Sequence, residues 1–229
     1  MNFPQLLVFS ISLILIFSCK SDNTPDSQEP VQVTSSELKN QISSKRSMAL
    51  DLMKSKIHWS ASKPGTRHNG TVTPKSGSII YSRSEILSAN VEMDMNTISV
   101  LDLTGDKKSS LESHLKGTVE GKEADFFDIR QYPTSEFRTT KVVKLANDRD
   151  YNYLIYGYLT IKDVIKEIAF KAFVEIKDDK MVLNSEEFSI NRTEWGIHYL
   201  SKSIFGGLKD NFIGDEVKIK LQIEASADF

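Results

Sequence analysis

The chain has 229 residues, with 29 Lys and Arg against 31 Asp and Glu, a net charge of −2 and 39% hydrophobic residues, the composition of an ordinary folded protein. Near-neutral charge excludes recognition through a broad electrostatic field, so no nucleic-acid partner is implied. A single cysteine excludes an internal disulfide, and hydrophobic burial has to hold the fold.

From Phe3 to Phe17 the sequence is almost wholly apolar, too short for a membrane span and the right size for a signal-peptide core. Residues 1–18 therefore read as an export signal, although Met1 to Gln5 carries no Lys or Arg. The run ends in Leu15-Ile16-Phe17-Ser18-Cys19, which resembles the lipobox of bacterial lipoproteins. That resemblance implies a lipidated Cys19, a membrane anchor, and an exported bacterial lipoprotein facing the periplasm or the cell surface. Residues 19–50 read as a tether, because Lys20 to Met48 is mostly Ser, Thr, Asn, Gln, Asp, Glu and Pro and cannot bury enough surface to order itself. Ser43 to Lys54 is expected to hold one short helix, with Met48, Leu52 and Met53 on the face that docks. Residues 51–229 form one domain.

Within the domain the dominant period is two, the mark of strands with one buried face. Strands are expected over Ser55–Ser62, Ser76–Tyr81, Glu85–Asp94, Ser135–Leu145, Tyr151–Ile161, Ile168–Ile176, Met181–Ile190 and Val217–Ala225. In the last, Val217, Ile219, Leu221 and Ile223 alternate with Lys218, Lys220, Gln222 and Glu224. Short polar turns such as Asn147 to Asp150 and Asp178-Asp179 favour antiparallel pairing. A long sheet with one polar face removes its edges only by closing on itself, so the expected fold is all-β, an extended eight-stranded antiparallel β-barrel. Lys107 to Lys116 breaks the pattern as a short helix, with Asp106 at its start and Gly117 at its end. Phe126 and Phe127 follow in a loop and are expected to bury over one end of the barrel.

Five segments in order resemble the YceI-like, lipocalin-resembling proteins of bacteria: SKIHWSASKPGTRHNGTV from Ser55, HLKGTVEGKEADFFDIRQYPTSEF from His114, YGYLTIKDVIKEIAF from Tyr156, FSINRTEWGIHY from Phe188 and FIGDEVKIKLQIEA from Phe212. The chain departs from the family pattern at Asp163, where a Gly is common, at Arg67 beside the HNG motif, and in the GTVEGKEA stretch. The resemblance implies a barrel whose apolar interior holds a polyisoprenoid, isoprenoid quinone or fatty-acyl lipid in an exported, non-catalytic protein, without a cofactor. Nothing in the pattern sets an oligomeric state.

Alternation nominates the lipid-lining residues: Ile57 and Trp59 on the first strand, Phe137 on a middle one, Leu159 and Ile161 on the next, then Phe170 and Val174, and finally Ile219 and Leu221. Phe126, Phe127 and Trp195 stand near an end. For each, core packing is as good a reading as ligand contact, since an eight-stranded barrel can be filled by its own side chains. His68, Asn69, Arg192 and Tyr199 are candidates for contact with a polar head group, with Arg192 as readily an anchor for backbone carbonyls. His58, His68, His114 and His198 form no metal-binding spacing, and no nucleophile turn is evident. Two rival functions stay open: an enzyme acting on a bound lipid or quinone through His68, Asp125 or Arg192, and a filled barrel serving as a surface interaction module.

Overall fold

The computed structural model describes residues 45–227; the export-signal reading and Cys19 lie outside the described residues. The elements are β1 Lys45–Leu50, β2 Lys56–Lys63, β3 Thr66–Ser82, β4 Glu85–Val100, α1 Gly105–Lys116, β5 Thr134–Lys144, β6 Tyr153–Ile161, β7 Val164–Lys177, β8 Lys180–Ser185, β9 Phe188–Asn191 and β10 Glu216–Ser226. All strand pairs are antiparallel, in the order β10-β2-β3-β4-β5-β6-β7-β8, and β8 pairs back with β10. The result is a closed ring of eight, the barrel expected from alternation.

Two of the eight lanes are each made from two strands. Between β10 and β3, β2 occupies one part of the lane (Ile219↔Trp59, Trp59↔Gly70) and β1 the other (Ala49↔Ser226, Ala49↔Ser78). On the far side of β10, β9 pairs through Ile219↔Phe188 and β8 through Ile223↔Leu183. A break in a lane strands backbone groups of β10, and a buried serine repairs each break. Ser55, fully buried, accepts from Glu224 N and donates to Glu224 O, both at 3.1 Å. Ser185 accepts from Leu221 N at 2.8 Å and donates to Glu186 O at 2.6 Å.

The helix expected over Ser43–Lys54 is absent from its described part, where β1 runs instead, so residues 45–50 belong to the barrel wall rather than to a tether. The ladders of β3 and β10 extend beyond β2 and offer ready partners, whereas a short helix must supply its own hydrogen bonds after a costly nucleation. Met48 is fully buried, while Leu52 and Met53 stand exposed in the turn, which Asp51 Oδ1 closes by accepting from Met53 N and Lys54 N. β3 and β4 also run longer than alternation indicates. The register shift between Pro74 and Ser76 puts two residues of β3 opposite one of β4 and reverses the inward phase of β3, whereas between Thr71 and Thr73 the extra residues are on β4, which runs from Ser99 to Asp94. Pro74 is tolerated at such a bulge because no ladder donor is required of it.

The inward side chains sort by height. At the β1 end, Met48, Tyr81, Tyr153, Ala172, Met181 and Ala225 are each 4% exposed or less and pack together, and the Tyr81 hydroxyl donates to Asp179 Oδ1 at 3.0 Å. This section is a solid floor. At the other end α1 lies against β4. Its Glu112 Oε1 accepts from Val100 N at 2.8 Å and Ser99 Oγ at 3.2 Å, tying the helix to the end of that strand. Burial raises the Glu112 pKa, but these two donors together with the charges of Lys108 and Lys116 hold the carboxyl below its ordinary value. The helix starts at Gly105, one residue before Asp106, and ends as expected at a left-handed Gly117.

Candidate functional site

Above the floor the barrel is hollow, with a cavity of about 210 Å³. Apolar side chains from β2 through β10 form its walls, and Ser135, Thr139 and Arg192 are the polar residues among them. The cap is built from three segments. The end of α1 brings Leu115 to the cavity and holds the next loop through Phe127 N to Leu115 O at 3.1 Å and Ile129 N to Lys116 O at 2.9 Å. Those two bonds aim Phe126 and Phe127 at the lumen. Trp195 follows β9, is 2% exposed, and donates from Nε1 to Leu159 O at 3.1 Å.

Arg192, 5% exposed, organises the third segment, residues 196–215. Its guanidinium donates to Ile197 O at 2.8 Å, Ile213 O at 3.0 Å, Gly214 O at 3.1 Å and Asp215 Oδ1 at 3.3 Å. Burial lowers the pKa of this group, partly offset by the Asp215 carboxylate. Burial alone would raise Asp215, but hydrogen bonds from Ser203 and Ser201 and the charge of Arg192 bring it below the usual carboxylate range. Lys162, in the β6–β7 turn, crosses to Ala124 O at 3.4 Å, and burial lowers its pKa.

Of the residues nominated from sequence, Ile57, Trp59, Phe126, Phe127, Phe137, Leu159, Ile161, Phe170, Arg192, Trp195, Ile219 and Leu221 all line the cavity. Four do not. Val174 shares the inward face of β7 with Phe170 but lies below it, packed in the floor. Tyr199 sits behind the cap, with ring centroids 4.9 Å from His114 and 5.4 Å from Phe126. His68 Nδ1 is 2.8 Å from Asp102 Oδ2, and Asn69 N donates to Asp102 Oδ1 at 2.9 Å, so both are used to secure the loop after β4. Burial raises the Asp102 pKa, and these bonds more than reverse it. The walls also include Met93, Met95 and Ile98 of β4; Met93 lies inside the expected strand but is not among the nominated residues, and Met95 and Ile98 lie beyond its expected end at Asp94, where the register irregularity obscures the Met93-x-Met95-x-x-Ile98 spacing.

His68 with Asp102 and His114 with Asp125, the latter pair at 2.7 Å, are the imidazole–carboxylate pairs recorded among the described residues, and none of these four residues is on the cavity wall. Among the described residues no Asp, Glu, His, Cys or Lys lines the cavity. Among the described residues no three His, Cys, Asp or Glu side chains converge as metal ligands, and no helix is long and apolar enough to cross a membrane.

A profile of the YceI-like domain matches residues 48–225. The chain belongs to the YceI-like family. The match begins at Met48, within β1. Among solved structures, this YceI-like chain is similar to Burkholderia cenocepacia BcnA, at 22% identity and a TM-score of 0.55 over 77% of this chain and 99% of that one. It is also similar to a polyisoprenoid-binding domain from Saccharophagus degradans implicated in plant cell wall breakdown, at 14% identity and a TM-score of 0.55 over 79% and 98%. Both likenesses are of fold. No curated protein matches the sequence.

Proposed function

We propose that this YceI-like protein binds a long-chain amphipathic lipid of polyisoprenoid, isoprenoid-quinone or fatty-acyl type inside the barrel. It carries or stores that lipid in the bacterial envelope without changing it chemically. The supporting observation is a capped apolar chamber, closed below by the floor, on whose wall no acid–base side chain among the described residues is free to react. The polyisoprenoid-binding domain of Saccharophagus degradans, similar in fold, supports the choice of ligand class. Envelope location and membrane attachment rest on the Cys19 lipobox reading.

The energetics suffice. At about 30 Å³ per group, the chamber takes about seven methylene-sized groups before any wall side chain moves. At about 0.8 kcal/mol each they supply roughly 5 to 6 kcal/mol before association costs. The full chain, stripped of lipid and incubated with bacterial lipid extract, should gain the mass of a discrete lipid by native mass spectrometry. Repeated recovery of bare protein overturns the proposal.

A further inference from the structure

The hydrogen-bonding inventory of the chamber wall is short, and the side chains of two of its members have no partner among the described residues. Ser135 is 6% exposed and shares the inward face of β5 with Phe137 and Thr139. Among the described residues nothing hydrogen-bonds its hydroxyl, whereas Thr139 Oγ1 accepts from Ala89 N at 3.1 Å. Trp59 Nε1 is buried with no acceptor among the described residues, whereas the other wall indole, Trp195, donates to Leu159 O. Buried polar groups in folded proteins almost always have partners, so unpaired ones on a ligand chamber point to what the ligand brings.

Their placement is specific. Trp59 is opposite Gly70 of β3, and a Cβ at Gly70 would fall within 2.5 Å of the indole Cζ2 and 2.7 Å of Cε2. The glycine of the HNG motif thus lets the ring lie flat on β3, which holds Nε1 in place. Ser135 registers with Met93 of β4. Met93 belongs to the upper apolar cluster and Trp59 packs against it, on the cap side of Ile79, Ile155 and Leu183. The third consideration is charge. Among the described residues Arg192 is the one cation on the wall, and three carbonyls and Asp215 already engage its guanidinium.

We infer that the polar group of the bound lipid that enters the chamber is an uncharged oxygen acceptor, a carbonyl, ether or hydroxyl oxygen, seated beneath the cap at Ser135 and Trp59. Its apolar chain extends toward the floor. An anionic head group meets no free cation on the wall among the described residues to offset its desolvation, and stays out. This inference rests on the proposed lipid-binding function and narrows its ligand class.

The probes are methyl heptadecyl ketone, nonadecane and nonadecanoate, each added to the lipid-free full chain in mildly alkaline buffer. The infrared carbonyl band of the bound ketone should lie below its position in alkane solvent, the sign of an accepted hydrogen bond, and this reading needs no variant. Ser135→Ala and Trp59→Phe should each reduce the ketone-to-nonadecane affinity ratio by about five-fold, and nonadecanoate should bind more weakly than the ketone. Binding of nonadecane and ketone with an unshifted carbonyl band, or nonadecanoate binding more tightly than the ketone, overturns this inference and leaves the lipid-binding function standing. Failure of both nonadecane and ketone to bind overturns the two together.

Discussion

Filling the chamber from its own wall is the most direct perturbation of the proposed function. Ala89 of β4 registers with Ile79 of β3, and both line the cavity. Ala89→Phe adds a phenyl ring, about 100 Å³ at interior packing density, against the about 210 Å³ available. A ligand then loses places for about three methylene-sized groups, or about 2.5 kcal/mol at about 0.8 each, which weakens binding on the order of a hundred-fold. Stability should move little. Filling an apolar void can return up to about 2.4 kcal/mol at about 24 cal/mol per Å³, and imperfect fit takes back about 1 to 3. Competition against a fluorescent lipid reads the affinity, and thermal melting of the same sample reads the fold. A variant that melts like the wild type and binds lipid equally well refutes the reasoning, because cargo would then reside elsewhere. A variant several kcal/mol less stable shows that the lumen lacks the room assigned to it.

Arg192→Leu should unmoor residues 196–215 by leaving three carbonyls without a donor, costing about 3 kcal/mol; hydrogen exchange at Ile197 and Gly214 should accelerate, and unchanged protection counts against the anchoring role. Ser55→Ala and Ser185→Ala should each cost about 1 to 2 kcal/mol in urea unfolding, since each strands a buried amide of β10, while Ser203→Ala, whose hydroxyl bonds Asp215 in the cap, should leave the β10 amides paired. Asp163→Gly should stabilise by about 0.5 to 1 kcal/mol, because Lys162 and Asp163 both hold positive φ, 49° and 62°, in the β6–β7 turn; a lowered melting temperature contradicts this. Asp215 has a folded pKa below its unfolded one, so its stabilisation is complete above the ordinary carboxylate range and disappears as pH falls through the folded value. Asp215→Asn should therefore flatten the acid limb of the melting-temperature profile, and an unaltered limb excludes the linkage.

Alternation alone determined the barrel: each strand shows one apolar and one polar face, and only closure buries the first without leaving edges. It also determined most of the chamber wall, since an inward residue such as Ile219 or Phe170 is inward whatever its neighbours are. Two kinds of fact needed the assembled structure. The first is height along the barrel: Phe170 and Val174 have the same phase, and only the packing of Met48, Tyr81 and Met181 beneath makes one a wall residue and the other part of the floor. The second is partnership between distant segments. β1 is a strand because β3 and β10 leave a ladder open beside it, His68 turns to Asp102 rather than to a ligand, and Arg192 finds its carbonyls more than twenty positions downstream as well as five. Period and composition are local quantities that a linear pattern carries. Whether inward side chains meet across the axis or leave space depends on the sum of volumes from all eight lanes, and no single lane contains that sum.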